Sequence, residues 1–375
     1  MTFSELVQLT FGDRFFVHKH LEECYAEAFN LANSLEPEQY VEVIGPSGAC
    51  KSTLRVLLAR SLVPPVDEWP IGSVPILSIR ASNPSDGFYD SKDFHSRMLY
   101  LLGDPFRGCR VSEPTGASID EIDDEVARIV KSAAWQKIHL SHSETEIRRT
   151  LERVAIARGL KFLLVDEAHV MGLVKRNREG VSHLESLRAF AELVGCKLIL
   201  FGTYYLLDVW KRSGELNRRL AKVHLRRYKD TDPAELQEFA RCVSLLAGSY
   251  KFETIDFIKV NIALIYNLTL GIIGEVHDLF ERSSIFARTL RRETISESDL
   301  MAKAHAQIQL WTMYQEALLG EERMVQPTDT FLKTLFYARR DINFFSQNAE
   351  AERGGTNRKP GRRNPGRDPV GGNWS

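Results

Sequence analysis

This sequence encodes an α/β protein, a parallel sheet core followed by a group of helices, on three grounds. From residue 40 to 228, short apolar runs alternate with helical patterns, the rhythm of a parallel sheet covered on both faces. The first run, Tyr40-Val41-Glu42-Val43-Ile44, leads directly into a glycine-containing loop and a helix. Residues 229–320 then hold no convincing strand and read as consecutive helices.

Residues 1–39 form an N-terminal extension leading into a helix whose apolar side carries Phe29, Ala32 and Leu35. The expected strands are 40–44, 74–80, 160–165, 197–201 and the weaker 222–226, which together make an α/β core over 40–228. Helices at 232–248, 253–268, 274–290 and 296–319 make a helical lid, 229–325. Ser296-Glu297-Ser298-Asp299 marks one helix start, with a capping hydroxyl and an acid three residues on. Residues 326–349 read as one more helix, rich in Phe331, Leu335, Phe336, Phe344 and Phe345. Residues 350–375 are Gly, Pro, Asn and Arg; a segment so polar cannot bury a core, and a disordered basic tail is expected.

Composition narrows the function. The chain has 375 residues, 43% of them hydrophobic and 26% charged, an ordinary globular balance. A formal charge of −1 means that any nucleic-acid surface must be local. Cys24, Cys50, Cys109, Cys196 and Cys242 are odd in number and form no C-x-x-C pair, which argues against a disulfide frame or zinc site. His139 and His142 have H-x-x-H spacing but no evident third ligand, so surface histidines are expected. Residues 1–14 lack a basic-then-apolar leader, and no apolar stretch approaches the ~20 residues that span a bilayer. A cytoplasmic protein without membrane partners is the expectation.

The loop after the first strand reads Gly45-Pro46-Ser47-Gly48-Ala49-Cys50-Lys51-Ser52-Thr53. It matches the phosphate-loop pattern G-x-x-x-x-G-K-[ST] at Gly45, Lys51 and Ser52, with Cys50 where the last glycine belongs. Backbone N–H groups of such a loop wrap a triphosphate, and the following helix aims its positive N-terminus at it. Lys51 is expected to reach the β/γ-phosphates of ATP, and Ser52 to offer its hydroxyl to Mg2+. A Cβ at position 50 crowds a tight turn. Three readings stay open there: a turn that binds nothing, a weakened site, and an ordinary site that tolerates the thiol.

About 115 positions after Lys51, the buried run Leu160 to Val165 ends in Asp166-Glu167-Ala168-His169. A strand-end Asp holds the Mg2+ shell, and an adjacent Glu activates the attacking water. The helicase letters Asp-Glu-Ala-His are a coincidence in this reading, because 229–320 supplies no second α/β lobe. The strand 197–201 ends in Gly202-Thr203; Thr203 either orients that water or sits in a simple turn. Arg218 and Arg219, just before the last strand, read alone as solvated surface charge.

In this order the motifs resemble an AAA+ ATPase, and more narrowly the TnsC/TniB family of transposition regulators. The narrower resemblance rests on Pro75 to Ile79, Lys92 to Leu99, Gly103-Asp104-Pro105, Val165 to His169, Leu216 to Leu220 and Gly271 to Leu279, and it spans roughly residues 12–305. It implies a homo-oligomer, ring or filament, on double-stranded DNA, with ATP bound between subunits and a transposase and target-selection protein as partners. Arg218 or Arg219 would then be an arginine finger on a neighbour's γ-phosphate. Many AAA+ proteins carry a sensor arginine after the lid glycine, whereas this chain has Glu275 there, with His277 nearby. DNA phosphates would be held, without sequence readout, by Lys131, Lys137, Arg148 and Arg149 and by the cluster Lys175, Arg176 and Arg178. Each of these is otherwise a solvated helix-face charge. A secretion-type ATPase and a nucleotide-gated scaffold with little hydrolysis are the competing functions. Initiator-type ATPases of replication share the core but usually add a recognisable DNA-reading winged-helix domain, which is not evident in this sequence.

Overall fold

The computed structural model describes residues 2–12, 17–36, 39–81, 88–103, 142–173, 180–210 and 214–338. The chain divides into two compact units, Met1–Met324 and Val325–Ser375.

The first unit is built on five parallel strands: β1 (Tyr40–Ile44), β2 (Ile76–Arg80), β3 (Phe162–Asp166), β4 (Lys197–Gly202) and β5 (Leu220–His224). Their order across the sheet is β2-β3-β4-β1-β5. Strands β1 and β3 are buried along their whole length, so they lack a solvent-facing polar alternation, although β1 buries Glu42 at its centre and β3 ends in Asp166. The second strand starts two residues later than expected. Pro75 has no N–H for the ladder and serves only as an acceptor, its carbonyl taking the amides of Lys161 and Phe162. The fifth starts two residues earlier, at Leu220, because it pairs with β1 from Tyr40 onward. As a half-exposed edge strand it leaves little apolar pattern to read.

Alternation along the strands sends side chains to two cores. Leu163, Val165, Leu198 and Leu200 pack with α4 (Ser91–Leu101), α5 (Glu144–Ala157) and α6 (Gly180–Val194). Val41, Val43, Leu164, Ile199 and Phe201 pack on the other face, with α1 (Phe3–Phe11), α2 (Lys19–Ser34) and α3 (Lys51–Ser61). Two short helices, α7 (Leu206–Trp210) and α8 (Gly214–Arg218), lie between β4 and β5.

After the sheet come α9 (Pro233–Ala247), α10 (Phe257–Thr269), α11 (Ile273–Thr289), α12 (Glu297–Lys303) and α13 (Gln307–Arg323). The first four surround a third core of Phe239, Val243, Ile265, Val276, Phe280 and Leu300. The start signal at Ser296 is a true capping box: its Oγ accepts the Asp299 amide at 3.2 Å, and the Asp299 carboxylate accepts the Ser296 amide at 2.9 Å. The helix expected over 296–319 is instead two, broken at 304–306. No Gly or Pro marks that break; there His305 leaves helical register to meet Glu275, Nε2 to Oε2 2.8 Å. Among the described residues, no single helix is long and apolar enough to cross a membrane.

The second unit contributes α14 (Asp329–Ala338), whose first turn is capped by the Thr328 hydroxyl at 3.2 Å from the Phe331 amide. Phe331, Leu332 and Leu335 on it are exposed. The remainder of the helix expected to 349 and the basic tail lie outside the described residues.

Candidate functional site

The carboxyl ends of β1, β3 and β4 meet at one edge of the sheet, where open α/β sheets place their ligands. Gly45 turns the chain away from β1. A Cβ there would stand 2.1 Å from the Leu225 carbonyl oxygen, so only glycine fits. Gly48 has φ +76° and Cys50 φ 62°, both left-handed. Position 50 thus has the conformation glycine adopts without strain, and a thiol sits on it. Burial pushes that thiol up to about 11, so it stays protonated near neutrality.

Pro46, Ser47 and Ala49 complete the loop, and the Ala49 amide bonds back to the Pro46 carbonyl at 3.3 Å. Lys51 and Ser52 open α3, with Thr53 half-buried behind them. The Lys51 ammonium donates to the carbonyls of Gly45 at 3.0 Å and Pro46 at 2.7 Å, threading its own loop. Burial lowers its pKa, opposed by the carboxylates of Glu167, Asp166 and Glu316. Glu316 comes from α13. Its Oε1 is buried without a hydrogen-bond partner among the described residues, and burial raises its pKa against the pull of Lys51.

Asp166, at the end of β3, faces the loop: Ser52 Oγ donates to its Oδ2 at 2.9 Å. Two hard oxygens this close at the mouth of a phosphate loop fit Mg2+. Glu167 follows in left-handed conformation, φ 53°, which turns it out of the strand. Its carboxylate lies 3.8 Å from the Arg80 guanidinium and 3.3 Å from His169 Nδ1. Neither partner was expected from sequence. Arg80 arrives because β2 pairs it with Asp166, and His169 because the short 3-10 turn Ala168–Gly172 folds it back. Thr203 follows the last residue of β4, and its Oγ1 is buried with no hydrogen-bond partner among the described residues.

The lid rests on this loop. The Gly274 amide, in the first turn of α11, donates to the Gly48 carbonyl at 3.1 Å, and a Cβ on Gly274 would stand 2.2 Å from that oxygen. Glu275 lies against Gly48 and is held by His305. One residue after Gly274, an acid therefore faces the loop.

Arg218 and Arg219 are elsewhere. They precede β5 at the amino end of the sheet, where the Arg219 carbonyl accepts the Tyr40 amide. Arg219 lies 4.0 Å from Glu192. A five-residue strand, at about 3.3 Å per residue, separates them from their own phosphate loop by roughly 15 Å.

Of the expected DNA contacts, Arg148 is committed inside the fold. It binds Glu152 at 2.7 Å and Ser186 Oγ at 2.7 Å, and its guanidinium covers the Phe190 ring. This tie between α5 and α6 removes it as a cation for phosphate. Arg149 is exposed beside Arg153 and His142 on an open surface cleft. Lys131, Lys137, Lys175, Arg176 and Arg178 lie outside the described residues.

Residues 35–209 match the AAA domain family. No curated protein matches in sequence. Among solved structures, the chain is similar to the ORC1 protein of Aeropyrum pernix in complex with DNA, at 14% identity and TM-score 0.52, over 79% of this chain and 68% of that one. The ORC2 protein of the same organism, in ADPNP–ADP complexes, aligns at 14% identity and TM-score 0.44, over 76% and 66%. A Walker-type ATPase of Pyrococcus abyssi aligns at 18% identity and TM-score 0.43, over 82% and 75%. The chain thus spans about two thirds of the ORC proteins it matches. With strand order β2-β3-β4-β1-β5, a phosphate loop after β1, an AAA domain match over 35–209 and helices beyond the sheet, the chain has the fold of the AAA+ phosphate-loop ATPases.

Proposed function

We propose that this chain is an ATP-dependent, DNA-binding AAA+ protein that regulates transposition. It assembles as a homo-oligomer on duplex DNA and links a target-selection protein to a transposase. One observation carries the nucleotide part: Ser52 and Asp166 meet at 2.9 Å, at the mouth of the loop that Lys51 threads, with Glu167 at the next position. Lys51 would release the loop carbonyls for the β/γ-phosphates, and Ser52 and Asp166 would hold Mg2+, which screens the phosphate charge. Glu167, steadied by Arg80 and His169, would accept the proton of the attacking water, and the unpartnered Thr203 hydroxyl would orient it.

The DNA part rests on the motif resemblance and on a shared fold with an ORC1 protein solved on DNA. Arg149, Lys131, Lys137, Lys175 and Arg176 are the remaining candidates for phosphate contacts. A nucleotide-gated scaffold with little turnover is the second reading. It is favoured by the acids Glu275 and Glu316, which face the loop and Lys51 where cations would aid hydrolysis.

Lys51→Ala separates this site from an empty turn. It should abolish binding of a fluorescent ATP analogue and assembly on duplex DNA seen by electron microscopy; equal affinity in mutant and parent overturns the site. Glu167→Gln keeps shape but loses the base, so it should retain ATP and lose turnover by about 100-fold or more. Unchanged turnover in Glu167→Gln gives the scaffold reading precedence.

A further inference from the structure

Asp166, the carboxylate assigned above to the Mg2+ shell, already has a cation of its own. Arg55 lies one helical turn after Lys51 on α3, on the side that packs against the sheet. Its Nε is 3.2 Å from Asp166 Oδ2, and its NH1 donates to Ser78 Oγ on β2 at 2.7 Å. Both members of the ion pair are nearly sealed from water, with side chains 3% and 4% exposed. The other contacts of Asp166 are also filled: Oδ2 accepts from Ser52, and Oδ1 accepts the Glu167 amide at 2.9 Å. A carboxylate has about four acceptor positions; two are taken by protein donors, and the Arg55 guanidinium adds a close ion-pair contact.

We infer that Arg55 is a positioning residue that neutralises the metal-shell carboxylate, so that nucleotide binds here with little help from Mg2+. The inference rests on the nucleotide reading of the loop. A divalent cation gains attraction from an unpaired carboxylate; beside a carboxylate already paired with a guanidinium it gains only the difference between attraction and repulsion. The fixed charge of Arg55, 3.2 Å from Oδ2, also holds Asp166 in place before metal arrives. Ser52 can turn its hydroxyl from Asp166 to a metal without leaving that carboxylate unpaired.

The experiment measures the affinity of the full chain for methylanthraniloyl-ATP in excess Mg2+ and in EDTA. The parent should bind within about threefold in the two buffers, Arg55→Lys likewise, and Arg55→Met should bind tenfold or more tighter with Mg2+ than without, by the charge argument above. A purely structural arginine would lower thermal stability on substitution and leave this ratio unmoved. A parent whose affinity collapses tenfold in EDTA overturns the inference, as does a folded Arg55→Met protein with the parent ratio. If Arg55→Met does not fold, the parent ratio decides alone. A parent that binds the analogue in neither buffer overturns the nucleotide reading itself, and that outcome is distinct from the others.

Discussion

Cys50 shows how one residue sets the character of the loop. Its φ of 62° puts an L side chain in a region that costs about 1 kcal/mol, and glycine removes that cost. The thiol, however, packs at the margin of the core under β1, so its removal also loses some burial. Comparing Cys50→Gly with Cys50→Ala separates the two, since both lose the thiol and only one relieves the backbone. The glycine variant should be the more stable by about 1 kcal/mol in urea denaturation and should bind ATP at least as tightly as the parent. An alanine variant as stable as the glycine one would show that the loop imposes no strain. The departure at position 50 was legible in the sequence because it breaks a short local pattern. The pairing of Arg55 with Asp166, and of Glu167 with Arg80 and His169, was not. Those contacts depend on which strand lies beside which, and in isolation an arginine on a helix reads as surface charge.

At the scale of elements, strands and helices were mostly readable because each keeps a simple apolar period. The edges of β2 and β5 moved where a proline or pairing decided them, and the helix expected over 296–319 broke where His305 meets Glu275. What the sequence hid was the seating of α11 on the phosphate loop. Gly274 has no room for a side chain, because a methyl group would press on the Gly48 carbonyl. Gly274→Ala should therefore cost about 1–3 kcal/mol and weaken nucleotide binding, as overpacking does elsewhere. Unaltered melting and affinity would mean that the helix lifts away easily. Two buried histidines, His18 at the start of α2 and His95 in α4, report on packing elsewhere, beside Tyr228 and near Arg148 respectively. Burial pushes each down to about 3 from 6.5. Between those values the unfolded chain binds the proton and the folded chain does not, so stability is full above pH 6.5 and falls as pH drops. Each histidine contributes about 1.4 kcal/mol of loss per pH unit in that window. His18→Gln should flatten the dependence of the urea midpoint between pH 7 and pH 5; an unchanged slope would mean that His18 is not shielded in the folded state.

On the scale of the whole molecule, the position of Arg218 and Arg219 decides what kind of site this is. They stand at the amino end of β5, while the phosphate loop stands at the carboxyl end of β1 beside it. No side-chain rotation lets either arginine reach its own loop across roughly 15 Å of sheet. If one of them stabilises the γ-phosphate, it does so in a neighbouring copy, and hydrolysis depends on assembly. Arg218→Ala or Arg219→Ala should accordingly leave ATP binding nearly intact, and one of the two should lower turnover by 1000-fold or more, on the order of an arginine finger's contribution. Arg218 is the better candidate, being exposed at the end of α8, whereas Arg219 lies close to Glu192 within its own chain. Mixing the inactive arginine variant with the equally inactive Lys51→Ala protein provides the decisive measurement. Interfaces that pair an intact loop from one chain with an intact arginine from the other should recover part of the activity, with a maximum near equal amounts. Mixed oligomers that form, by cross-linking, yet recover nothing at any ratio would show that each chain carries its whole site, against the placement of these arginines at the far end of the sheet.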